Sequence, residues 1–163
     1  FFLSAITFGQ VTDSIWMDSV LNYKVKIPGW LHLIETGSAT MFGGTLPAVN
    51  NIENAIMVQG FSKSDFKSFD EFKFVFLTGN RFGEPAKFDK EQIWYGQNNL
   101  LEVDNGVKQK VFIYWQNKIY HNQFVLLQSN TAYILIKFVA TLESYDINIS
   151  KFDEFLAGVR IEE

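Results

Sequence analysis

Cysteine is absent from this 163-residue chain, which excludes disulfides, thiolate metal sites and cysteine nucleophiles together. Arginine is almost missing as well, occurring only as Arg81 and Arg160, and the formal net charge is -4. Since arginine is the side chain that most often grips phosphate and base edges, nucleic acid is not an expected partner. Histidine occurs only as His32 and His121, which limits the sites where the commonest general base could act. No apolar run reaches the ~18 residues of a membrane span, so no integral membrane segment is expected in the mature chain. Neither an internal repeat nor a low-complexity tract is visible, and no Gly-x-Ser-x-Gly nucleophile turn occurs.

What the chain has in quantity is rings. Aromatic residues make up 17% and include 17 Phe, enough to fill a core and to exclude disorder. The segment AYILIKFVATL, 132–142, is apolar on both alternations, which marks a strand covered on both faces. After the polar break ESYDIN, the spacing of Ile149, Phe152, Phe155, Leu156 and Val159 predicts a helix packed back onto that strand. Asn105-Gly106 supplies the positive φ values of a tight hairpin, and reversals at 116–118 and 129–131 complete a meander of strands at 98–104, 107–115, 119–128 and 132–142.

Upstream, Tyr23, Val25 and Ile27 alternate with Lys24 and Lys26 as a half-buried strand ended by Pro28. WLHLIET, 30–36, reads as a second strand, 37–47 as a short irregular strand or loop, and 54–61 as a further strand. Phe66, Phe69, Phe72 and Phe76 recur at helical spacing, and Ser68 with Glu71 suggests a capping box, so a helix from Ser64 or Ser68 to Leu77 is expected. A loop to Asp89 follows, and 90–95 fits either a strand or a helical turn. The resulting class is α+β, an antiparallel β-sheet with helices packed on its faces as an α/β/α sandwich.

The opening FFLSAITFG is apolar and uncharged, with small residues where a signal peptidase reads. Residues 1–9 therefore read as the remnant of a secretory signal peptide cleaved before Gln10, leaving 10–163 as a single domain that is secreted or periplasmic. A first strand or helical turn of a cytoplasmic protein is the alternative.

The strand entering Pro28-Gly29-Trp30, together with the aromatic hairpin, polar break and Phe-rich closing helix of Tyr120 to Val159, resembles the PsbP-like fold. That α/β/α sandwich is shared by the extrinsic photosystem subunit and the small Ran-binding import factor. The resemblance implies a non-catalytic module that contacts a partner, and it carries no active-site residue with it.

Candidate chemistry is sparse. His32 shares a strand alternation with Trp30 and Ile34, and His121 stands near a strand start; either could serve a hydrolase or isomerase only if a carboxylate meets it. Asp65, Asp70, Glu71, Asp89 and Glu91 are spread along a helix face and a loop, Glu102 and Asp104 flank a turn, and no metal or cofactor is expected. Gly43-Gly44 lacks the lysine and helix start of a phosphate loop. Trp30, Trp94 and Tyr95, with the Arg81 loop, are the residues best placed to line a ligand or partner surface. The leading expectation is a non-catalytic interaction or envelope accessory module, with another protein as partner. A small-molecule binding protein holding an apolar or aromatic ligand is the alternative.

Overall fold

A computed structural model describes residues 14–78, 93–96, 100–115 and 117–161. In chain order the strands are β1 (Ser14–Asp18), β2 (Tyr23–Ile27), β3 (His32–Ile34), β4 (Met41–Thr45), β5 (Ala55–Ser62), β6 (Ile93–Gly96), β7 (Leu101–Val103), β8 (Gly106–Trp115), β9 (Lys118–Gln128), β10 (Ala132–Thr141) and β11 (Val159–Ile161). Helix α1 (Phe69–Thr78) falls between β5 and β6, and α2 (Leu142–Leu156) between β10 and β11. The large sheet is antiparallel in the order β3-β4-β5-β10-β9-β8-β6, with β7 pairing β8; β1-β2-β11 forms a second, smaller sheet.

The doubly apolar segment becomes β10, at the middle of the large sheet between β5 and β9. Its Ala132, Ile134, Ile136, Phe138 and Ala140 enter one core with Val25, Ile56, Val58, Val125, Tyr145, Phe152 and Phe155. Tyr133 and Leu135 enter another with Phe66, Phe72, Val75, Phe124 and Leu126. Thus α2 and the small sheet cover one face and α1 the other, which accounts for the two-sided hydrophobicity.

Both helices have legible starts. The Ser68 hydroxyl accepts from the Glu71 N–H at 3.2 Å, and the Glu71 carboxylate reaches back to the Lys67 N–H at 2.6 Å. Lys63–Asp65 is a separate 3-10 turn, so α1 starts at Phe69 and not at Ser64. The closing helix differs more from expectation: it occupies the supposed break and ends at Leu156, before Val159. Its start follows directly on Thr141, whose N–H donates to the Ser144 hydroxyl at 3.1 Å. Tyr145 and Asn148 continue the inward stripe of Phe152 and Phe155, but their polar ends hide it from a hydrophobic pattern.

Two strands, β1 and β11, go beyond what the sequence predicts. They are five and three residues long and gain order by pairing on either side of β2, which lies far from β11 in sequence. The strand expected at 30–36 shrinks to His32–Ile34, and that at 98–104 to Leu101–Val103. Gly43 and Gly44 lie inside β4, and the ambiguous stretch near residue 93 is strand. The segment expected to be a signal remnant, 1–9, and the loop carrying Arg81 lie outside the described residues.

Candidate functional site

Among the described residues, β3 forms an exposed apolar edge of the large sheet. All three residues of β3 are exposed, Leu33 at 56% and Ile34 at 48%, and among the described residues only β4 pairs with it. A short strand with one side unpaired offers backbone N–H and C=O groups to an added strand. Beside it a shallow groove of about 740 Å³ runs between Trp16, Leu33, Ile34, Met41 and Phe42. Trp16 is held there by ring contacts to Tyr23 at 5.5 Å and Phe42 at 4.9 Å.

The connection from β3 to β4 is built rather than slack. The Thr36 hydroxyl donates to the Met41 carbonyl at 2.6 Å, the Thr40 N–H to the Ser38 hydroxyl at 3.3 Å, and Gly37 takes φ +68°. The Thr40 carbonyl in turn accepts from the Gly60 N–H at 2.9 Å and the Tyr23 hydroxyl at 3.3 Å. The edge is therefore presented by a hairpin anchored to the body.

His32 lies on this edge, exposed, and among the described residues no carboxylate bonds to it. His121 sits on β9 opposite Phe112 and Ala140, with its ring edge-on to Phe112 at 4.6 Å and 5.7 Å from that of Tyr145. Its Nδ1 is buried without a hydrogen-bond partner among the described residues. Burial, and then the nearby Lys110 ammonium, push its pKa below 6.5, while Asp146 and Glu143 pull the other way. Lys110 lies 4.1 Å from the centre of the Tyr145 ring, and the Tyr145 hydroxyl donates to the Gln123 side-chain carbonyl at 3.0 Å. Burial, with Asp146 and Asp153 beyond it, raises the Tyr145 phenol to about 12. These groups brace the start of α2. Asp146 and Glu143 act on His121 through their charge, but among the described residues no acid hydrogen-bonds to its buried Nδ1, the arrangement that the hydrolase or isomerase reading requires.

Trp30 is half-buried against the core and its indole N–H donates to the Glu154 carboxylate at 3.3 Å. Glu154 also borders a groove of about 570 Å³ with Ile15, Pro28 and Arg160. The backbone of Trp94 and Tyr95 lies in β6, at the edge opposite β3, so the chain leads Trp30 and Trp94 to different edges of the sheet. The side chains of Trp94 and Tyr95, and all of Arg81, are outside the described residues. The β3 edge escapes a reading of the sequence because Leu33 and Ile34 look like ordinary strand filling; the signal available is the run of small and polar residues from Glu35 to Thr40. Among the described residues no group of three His, Asp or Glu side chains could hold a metal ion, and no helix is long and apolar enough to cross a membrane.

No protein-family model matches this sequence, and no curated protein does. Solved structures do. The cyanobacterial PsbP of Synechocystis sp. PCC 6803 (CyanoP) is similar over 98% of this chain and 98% of its own, with 10% identity and a TM-score of 0.61. A mutant form of the protein Mog1 is similar over 92% and 96%, at 9% identity and TM-score 0.55. LpqN of Mycobacterium tuberculosis, described as involved in cell envelope biogenesis, is similar over 96% and 88%, at 11% identity and TM-score 0.51. The chain has the PsbP-like fold, an α+β sandwich of antiparallel sheet and packed helices.

Proposed function

We propose that this PsbP-like domain is a non-catalytic accessory module outside the cytoplasm, which acts by binding an extended segment of another protein along β3. The observation that carries the proposal is the β3 edge, exposed at all three residues, unpaired on its outer side among the described residues, and with apolar side chains on both of its faces. Its anchored hairpin keeps that edge in position before a partner arrives, which lowers the ordering cost of binding. Similarity to LpqN, described as involved in cell envelope biogenesis, supports an envelope setting.

Photo-crosslinking in cells tests this, with the crosslinkable residue placed at Leu33 in one variant and at the exposed Ile147 of α2 in another. A discrete adduct from position 33 that is absent from position 147 is the expected result. Equal labelling at the two positions, or none at 33, overturns the contact. Recovery of the protein from the cytoplasmic fraction alone overturns its location.

A further inference from the structure

The small sheet has one face toward the core and one toward solvent. Tyr23, Val25 and Ile27 of β2 are buried in the core beneath it, and Trp16 of β1 packs there half-buried. Alternate residues point the other way, so Ile15 and Met17 of β1, Lys24 and Lys26 of β2 and Arg160 of β11 share the outer face. Register sets them side by side: Ile15 pairs with Lys26, Met17 with Lys24, and Lys24 in turn with Arg160. The one acidic residue within these three strands, Asp18, is buried.

The chain as a whole carries a net charge of -4, yet this face offers three cations and two large apolar side chains. Ile15 is 72% exposed and Met17 56%, and Val20, at 74%, stands at the tip of the β1–β2 turn. That turn is built to hold its shape. The Asp18 carboxylate accepts from the Val20 and Leu21 N–H groups, both at 2.9 Å, and the Asn22 N–H donates to the Asp18 carbonyl at 2.9 Å. A braced hairpin thus holds aliphatic tips out in water, beside the cations. The groove of about 570 Å³ bordered by Glu154 runs past Ile15, Lys24, Lys26 and Arg160, and Glu154, its only carboxylate among the described residues, accepts the Trp30 indole N–H. Arg160 is fixed at the border by donating to the Ala157 and Val159 carbonyls at 2.7 and 2.9 Å, bonds that leave its charge in place.

We infer that the outer face of the small sheet docks on an anionic lipid bilayer. Lys24, Lys26 and Arg160 meet the phosphate headgroups, and Ile15 and Met17, with Val20 at the turn, enter the boundary of the acyl region. Charge complementarity gives the sign of the surface, and the protruding apolar tips give its kind. An acidic protein would answer the cations but would need a matching pocket for each tip, whereas a bilayer answers both without a match of shape. A second copy of this chain would set like charges against one another. Neither signal holds a protein on a membrane alone; basic and apolar contacts together do. The face is independent of the β3 contact, which lies on the other sheet.

Co-sedimentation of the intact chain with vesicles of phosphatidylglycerol and phosphatidylcholine, against vesicles of phosphatidylcholine alone, tests the inference. The chain should partition onto the anionic vesicles, at least about tenfold more weakly onto the neutral ones, and come off as salt rises to about 0.5 M. Lys24→Gln with Lys26→Gln should weaken attachment to the anionic vesicles at least about tenfold, and Ile15→Thr with Met17→Thr about fivefold or more. Ile147→Thr, at an exposed position of α2, should change nothing. No attachment to anionic vesicles, equal attachment to neutral ones, or an undiminished lysine variant overturns the docking. Lysine-dependent attachment that survives the Ile15 and Met17 changes intact is the behaviour of a face for an acidic protein, and it overturns the lipid occupant. Circular dichroism confirms that each variant is folded before its partition is read.

Discussion

The Asn148 side chain donates its Nδ2 hydrogen to Asn54 Oδ1 at 2.9 Å, joining the middle of α2 to the residue that enters β5. Both amides are buried, and both also reach the Pro47 carbonyl, at 3.4 Å from Asn148 and 3.5 Å from Asn54. Removing one side of a buried hydrogen bond leaves the other unsatisfied, so Asn148→Ala should cost about 1–3 kcal/mol in urea unfolding. The double variant with Asn54→Ala should cost less than the sum of the two singles, and strict additivity would show that the pair is not coupled.

Gly60 has no room for a side chain. A Cβ there would stand 2.4 Å from Leu21 Cδ1 and 2.9 Å from Tyr23 Cε1, since the small sheet is seated on this point of β5. Gly60→Ala should therefore lose about 1–3 kcal/mol by overpacking. Combination with Leu21→Ala should recover part of the loss, and a Gly60→Ala midpoint equal to that of the unaltered protein would contradict the close seating.

Phe72 is completely buried and meets Phe61, Phe66, Phe69, Phe76 and Tyr133 ring to ring. Phe72→Ala should cost about 3–5 kcal/mol, while Phe72→Leu, which keeps most of the volume, should cost markedly less. Thermal and urea unfolding followed by circular dichroism would measure both.

The His121 environment sets a pH dependence with a definite sign. Its folded pKa lies below 6.5, so between the two values the unfolded chain binds more protons. Stability from this group is present above the unfolded value and is lost as pH falls toward the lower folded one. Urea midpoints at about pH 7.5 and about pH 5.5 should therefore fall further in the unaltered protein than in His121→Gln. Parallel declines would assign the acid sensitivity to other groups.

Much of the large sheet is legible in the sequence because its residues announce themselves locally. Asn105, at φ 60°, closes the two-residue Asp104–Asn105 turn between β7 and β8, although Gly106, expected to share the positive φ, is already the first residue of β8, and the two-sided apolarity of 132–142 marks a central strand. The small sheet is not legible. β1 and β11 exist through pairing to β2, and the short segment Val159–Ile161 carries no pattern of its own before it finds Tyr23 and Val25. The candidate site is harder still. Exposure of Leu33 and Ile34 depends on β3 being the last strand of the sheet among the described residues, which is not a property of the residues near it in the chain.

The clasp of β11 on β2 also constrains how the molecule comes into being. Until the last described strand arrives, β2 has an unzipped flank, and the greasy roof over β10 lacks Val159 and Ile161 among its tiles. Closure of that layer waits for a long-range encounter, the slowest kind to nucleate. Deleting Val159–Ile161 would hold the molecule permanently in that half-closed condition.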